Sequence, residues 1–255
     1  MTDTFETPVG VAGAGETGET ADDFRARLSA VRARVDAAAR AAGRDPAEVR
    51  LLPVSKTVPE DRLRLAVDAG MTELAENKPQ EIQRKAAAMA DLPVRWVAIG
   101  HLQTNKAKIV AEFAAEFQAL DSVRLAEALQ RRLEALDDDR TLDVLVQVNT
   151  SGEAAKTGAA PEDVDAILSA SARCDRLRVR GFMTVAAHSE DGAEVRRCFA
   201  MLREIRDRAR EQAVVDPTLL TELSMGMSGD FPVAIAEGST CVRVGTALFG
   251  ARDYA

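Results

Sequence analysis

The chain has 255 residues, 46% of them hydrophobic and 29% charged, with a net charge of −8. That length accommodates one large domain or two small ones, and the composition excludes a fibrous or wholly disordered chain. No apolar run approaches the roughly 18 to 20 residues that span a bilayer, no secretory signal pattern opens the sequence, and no cationic block suits a nucleic-acid backbone, so a cytoplasmic protein without membrane or nucleic-acid partners is expected.

Residues 1–20, rich in Gly, Thr and Glu and lacking periodicity, read as a disordered tail. Asp22 or Asp23 then caps a helix with Phe24, Leu28, Val31 and Val35 on one face, stopping near Gly43 ahead of Pro46. Beyond it, apolar runs rich in β-branched residues predict strands at 51–54, 94–99, 142–148, 178–185 and 240–244, with weaker candidates at 71–74, 117–120 and 219–223. Helical patterns fall between them at 59–69, 78–90, 105–115, 122–136, 161–172, 192–212 and 229–236. This alternation predicts right-handed βαβ units and a parallel sheet. Eight strands suit one α/β domain over 21–255, a (β/α)8 barrel of the TIM type with an extra N-terminal helix. The competing open doubly wound sheet lacks its G-x-G-x-x-G fingerprint at the first βα turn.

The cysteines, Cys174, Cys198 and Cys241, are odd in number and form no C-x-x-C pair, so they read as buried thiols in a reducing compartment. With only His101 and His188 besides, a zinc site is not expected. Of the 33 basic residues only six are lysines, so a lysine in an apolar setting stands out.

In a barrel, functional groups gather at the carboxyl ends of the strands. There the sequence places Ser55-Lys56-Thr57, Glu76-Asn77, the run from Gly100 to Lys106, the segment from Asn149 to Gly158, the run from Ser224 to Asp230, and Arg243-Val244-Gly245-Thr246. Lys56 closely follows the apolar run LLPV. Burial there lowers an amine's pKa from about 10.4, and a neutral amine attacks an aldehyde to form an imine; the alternative is a lysine that snorkels to solvent. The last two loops resemble a phosphate cradle, with Gly226, Gly229 and Gly245 admitting backbone and Ser224, Ser228 and Thr246 offering hydroxyls. Helix capping by Ser228, Asp230 and Thr246 is the alternative. Arg243 either faces a ligand's ring or makes a structural ion pair. His101 and His188 read as supporting or surface residues, Lys106 and Lys156 as exposed loop cations, and Met183, Met225 and Met227 as packing.

Seven segments then carry a resemblance: VSKT (54–57), AENKPQE (75–81), IGHLQTNK (99–106), VNTSGEAAKTG (148–158), GFMTV (181–185), LSMGMSGDFPVAI (223–235) and GSTCVRVGTALFG (238–250). In this order they resemble the pyridoxal-phosphate homeostasis proteins, single-domain relatives of the alanine racemase barrel. The resemblance implies pyridoxal 5′-phosphate held as an internal aldimine on Lys56, its phosphate held by Ser224, Ser228, Gly245 and Thr246. It also implies that Arg243 faces the pyridine nitrogen and that Asn77 lies nearby. Two positions depart from the family pattern: Ala75 stands where Gly precedes Glu-Asn, and Val97 where His follows Trp.

Two functions compete. A non-catalytic carrier would buffer the cofactor and pass it to apo-enzymes; a racemase-like enzyme would act on amino acids. The two-domain racemases add a β domain that supplies a catalytic tyrosine and closes the dimer, whereas the one tyrosine here is Tyr254. A monomeric carrier is therefore expected. An aldolase-type barrel using Lys56 without a cofactor is a third reading, and it leaves the seven-segment match unused.

Overall fold

A reciprocal pair of hydrogen bonds starts the first helix, α1 (Ala21–Ala41): Thr20 accepts the Asp23 N–H through its hydroxyl while the Asp23 carboxylate accepts the Thr20 N–H. Thr20 is thus the cap, in place of Asp22 or Asp23, because this box needs a hydroxyl at the cap and an acid three residues later. Phe24, Val31, Val35 and Ala39 form the buried face, with Leu28 half-buried at its margin. The structure, a computed structural model, describes residues 18–250 except 137, 154, 155, 188 and 190. Most of the expected tail, His188 and Tyr254 therefore lie outside the described residues.

Eight parallel strands follow: β1 (Arg50–Pro53), β2 (Glu73–Glu76), β3 (Arg95–Ala98), β4 (Glu116–Leu120), β5 (Leu142–Gln147), β6 (Leu177–Met183), β7 (Glu222–Ser224) and β8 (Cys241–Val244). The intervening helices are α2 (Glu60–Asp68), α3 (Pro79–Ala88), α4 (Ala107–Phe113), α5 (Val123–Glu134), α6 (Val164–Ser171), α7 (Gly192–Gln212) and α8 (Phe231–Ala236). A last one, α9 (Thr246–Phe249), carries no periodicity long enough to be predicted. All three weaker strand candidates are strands. β2 begins two residues later than expected because its ladder with β3 pairs Glu73 with Arg95 and Glu76 with Ala98, which puts Glu76 on the strand.

The sheet order is β1-β8-β7-β6-β5-β4-β3-β2. Seven seams pair named strands, that between β7 and β8 through the single pair Ser224 with Cys241, and the eighth, between β1 and β2, is a bridge of Val54 to Ala75 just outside β1. The result is a nearly closed (β/α)8 barrel. The main core fills the layer between sheet and helices, and a smaller apolar cluster (Leu52, Val54, Ala75, Val97 and Cys241) joins β1, β2, β3 and β8. Ala75 and Val97, the two departures from the family pattern, are both fully buried in that cluster. α1 packs across α8, α9 and α2, with Phe24 against Phe249 at a ring separation of 5.9 Å. Cys174, Cys198 and Cys241 are buried free thiols. Among the described residues no helix is long and apolar enough to cross a membrane.

Candidate functional site

The carboxyl ends of the strands enclose a cavity of about 490 Å3, a size typical of small-molecule sites. Six of the seven sequence-predicted site residues line it: Lys56, Asn77, Ser228, Arg243, Gly245 and Thr246. Val54, Ile99, Met183, Val185 and Met227 supply apolar wall, and Gln147, Thr157, His101 and Gly229 complete much of the polar rim. Among the described residues no group of three or more His, Cys, Asp or Glu is placed to hold a metal ion.

Lys56 is half-buried just past β1. The backbone turns sharply there, with Thr57 at φ 68°, a left-handed conformation that strains a β-branched residue and recurs at functional sites. Beneath this turn lies a buried polar cluster. Lys85 of α3 is fully buried; its Nζ donates to Glu76 Oε1 at 2.6 Å and to the Ser55 carbonyl at 3.0 Å. Ser55 Oγ donates to the same carboxylate oxygen at 2.7 Å. Burial pushes the Glu76 carboxyl up, against the pull of Lys85. The lysine that the strands and helices bury completely is therefore Lys85, and it anchors the peptide that carries Lys56. Lys85 sits at helical spacing from the buried Ile82 and Met89, on the inward face of α3.

Asn77 is exposed at the end of β2. Its loop presses on Gly100, where an added Cβ would lie 2.1 Å from the Asn77 carbonyl oxygen. Only glycine permits that approach.

The β7 and β8 loops meet across the cavity. Gly226 has φ +94°, and a Cβ there would lie 2.6 Å from the Ala234 Cβ, so this glycine serves the packing of α8 and does not line the cavity. Asp230 Oδ1 accepts the Met227 N–H at 2.5 Å. The side chains of Ser228 and Thr246 cap neither helix and hydrogen-bond to no described residue, and both line the cavity beside Gly229 and Gly245. The capping alternative is thus removed for these two hydroxyls.

Ser224 is the exception among the predicted residues. Its side chain is fully buried and does not line the cavity. Its Oγ accepts from Arg243 Nη1 at 2.7 Å and donates to Gln118 Oε1 at 2.7 Å. Gln118 Nε2 in turn donates to Glu116 Oε1 at 2.6 Å. Arg243 Nη2 donates to the Thr184 carbonyl at 2.8 Å. These partners are neutral, so Arg243 is not an ion-pair residue, and burial pulls its guanidinium below the usual arginine range. A chain of hydrogen bonds therefore runs from the cavity down to the opposite end of the barrel. There Glu116 accepts two bonds from Arg50, at 2.7 and 2.8 Å, and one from Arg95 at 2.9 Å. These pairs hold its carboxyl down at about 2 despite burial.

Gln147 went unnoticed in the sequence. It is buried at the end of β5, its Nε2 donates to Thr157, and its Oε1 has no hydrogen-bond partner. An amide directly after the apolar run Val144-Leu145-Val146 was the available signal. His101 is exposed, with Nδ1 2.9 Å from Asp121 Oδ2. Lys156 reaches Glu153 at 2.8 Å and the Ala186 carbonyl at 3.1 Å, and does not line the cavity.

An eight-stranded parallel barrel with a lysine and a hydroxyl-and-glycine rim at its carboxyl face belongs to a broad class, and residues 26–253 match the family model described as the alanine racemase N-terminal domain. The Pseudomonas aeruginosa "pyridoxal phosphate homeostasis protein" is 44% identical over 228 residues, covering 89% of this chain and 95% of that protein. Two solved structures are each 36% identical. An unknown protein from Bifidobacterium adolescentis has a TM-score of 0.82, with 90% of this chain and 95% of that one covered. PipY from Synechococcus elongatus, solved with PLP bound, has a TM-score of 0.78, with 89% and 100% covered. The chain belongs to the pyridoxal phosphate homeostasis protein family.

Proposed function

We infer that this protein binds pyridoxal 5′-phosphate at the barrel mouth and serves as a non-catalytic cytoplasmic carrier of it. The observation that carries this reading is the convergence of Lys56, Arg243 and the Ser228-Gly229/Gly245-Thr246 rim on one cavity. The donor set fits the group. An amine suits the aldehyde, hydroxyls and glycine backbone suit the phosphate, and the apolar wall suits the ring. The orphaned Gln147 Oε1 offers an acceptor to a donor on the ligand.

In this reading Lys56 would hold the aldehyde end of the cofactor, Ser228, Gly245 and Thr246 would hold its phosphate, and Asn77 would border the ring. Ser224 acts at one remove, fixing Arg243, which faces the pyridine nitrogen. When bound, the cofactor supplies an electron sink for amino-acid chemistry. A guanidinium beside the ring nitrogen, itself donating, disfavours protonation of that nitrogen and so weakens the sink. The rim is open to water: Asn77, His101, Thr246, Val185 and Met227 are all exposed, which suits exchange better than the water-excluded chemistry of an enzyme. The homeostasis name carried by the Pseudomonas relative supports the same role.

The test mixes loaded protein with a pyridoxal-phosphate-dependent apo-enzyme and follows recovered activity. Recovery faster than release into a trapping agent is expected, with no amino-acid racemisation above that of free cofactor. Recovery at the passive release rate, or saturable stereospecific turnover, contradicts the carrier reading.

A further inference from the structure

Two shallow grooves, of about 500 and 380 Å3, share Thr104, Asn105 and Arg124, and the first shares His101 with the cofactor cavity. The second ends at Arg131 and Arg132. Arg124, Arg131 and Arg132 lie on α5 at spacings of seven and eight, one side of a helix. All three are exposed and form no ion pair or hydrogen bond with any described residue. Elsewhere on the surface arginines are commonly engaged, as Arg62 is with Glu19, Arg64 with Asp91 and Arg203 with Glu237. The acid in the grooves, Asp121, is held by His101; Glu127 and Glu134 of α5 are exposed one turn from Arg124 and Arg131 and flank the strip, but they line neither groove and form no ion pair with these arginines. In a chain of net charge −8, this cationic strip runs against the overall charge.

A second observation falls on the other side of the same cavity. Val185 and Met227, 39% and 41% exposed, are two of the three exposed large hydrophobics among the described residues, and both line the mouth. Arginine and methionine are enriched where proteins meet.

We propose that this mouth face, with Arg124, Arg131 and Arg132 on one flank and Val185 and Met227 on the other, docks a partner protein that presents an acidic, partly apolar face. The proposal rests on the carrier reading, and the partner is the protein that takes up the cofactor. A small anion is the poorer occupant. The three arginines spread over about 12 Å of helix, and one exposed ion pair contributes little. An extended acidic face sums such pairs and is steered toward the mouth.

The test uses the full chain saturated with pyridoxal 5′-phosphate and two fluorescent probes, poly-L-glutamate and a glutamate–leucine copolymer, read by anisotropy at low salt. Both bind wild type, the copolymer several-fold more tightly, and about 0.5 M salt, which shortens screening to a few ångströms, abolishes poly-glutamate binding. Changing Arg124, Arg131 and Arg132 together to Ser weakens both by about tenfold or more. Changing Arg208 and Arg210, exposed on α7 and outside the grooves, to Ser leaves affinity as in wild type. The cofactor absorbance is the same in both variants, so failure of docking is separable from failure of the cofactor reading. No binding to wild type, equal loss in both variants, equal affinity for the two polymers, or saturable displacement by micromolar tripolyphosphate would each overturn the proposal.

Discussion

Arg243 directs its two terminal nitrogens at a hydroxyl and a carbonyl, and its orientation depends on what holds those acceptors. Ser224 is fixed by Gln118, and Gln118 by Glu116. Replacing Gln118 with Leu removes the acceptor for the Ser224 hydroxyl and leaves buried polar groups unpaired, at about 1–3 kcal/mol. The expected outcome is lower stability in urea together with cofactor binding weakened by about tenfold, the same direction as Ser224→Ala. Absorbance titration checks it; unchanged affinity in both variants would show that the chain does not position Arg243. The sequence displayed Ser224 beside a glycine-rich loop, which is why it read as a phosphate ligand. Only the pairing of β6, β7 and β8 reveals that its hydroxyl lies below the mouth, 106 residues away in sequence from its partner Gln118.

Strand β1 meets β2 through a single bridge, so other contacts must hold the element that carries Lys56. Lys85 supplies them by joining the Ser55 carbonyl at the end of β1 to Glu76 at the end of β2. Lys85→Met strands a buried carboxylate and is expected to cost about 3–5 kcal/mol. The double change Lys85→Met with Glu76→Leu removes both charges and should recover much of that loss, because a paired deletion leaves no uncompensated charge. Denaturant unfolding measures both, and a double variant as unstable as the single one would contradict the pairing. At this scale the strands were legible, since β-branched runs separated by amphipathic helices need no tertiary information. Lys85 stands at helical spacing from the buried Ile82 and Met89, so its inward position follows a local pattern; what was not legible is that its charge meets Glu76 and the Ser55 carbonyl there, since only the barrel brings them together. Asn77, Ser228, Arg243, Gly245 and Thr246 were legible as strand-end polar residues, and the barrel fold does the gathering.

Across the whole molecule, the opposite end of the barrel is closed by charge. Arg50 of β1 pairs with Glu116 of β4 at 2.7 Å, Glu222 of β7 at 3.1 Å and Glu73 of β2 at 3.6 Å, thereby spanning the β1–β2 seam. The Glu116 carboxyl falls from 4.5 to about 2 on folding. A depressed acid stabilises the fold above its unfolded value, and the contribution is lost as pH falls through the folded one. Glu116 therefore contributes about 3 kcal/mol near neutrality, lost between about pH 5 and pH 2. Glu116→Gln should be less stable at neutral pH and show a shallower acid dependence over that window, which urea unfolding at several pH values would test. An unchanged slope would remove Glu116 from the account of acid stability.

The central claim concerns the amine at the other end, and it is read most directly by borohydride reduction of the cofactor-loaded protein followed by peptide mass analysis. Wild type should carry one reduced pyridoxyl group on the peptide containing Lys56, and Lys56→Ala should carry none and lose the cofactor's visible absorbance. A reduced adduct on a different lysine in wild type, or absorbance that persists in Lys56→Ala, would contradict the account.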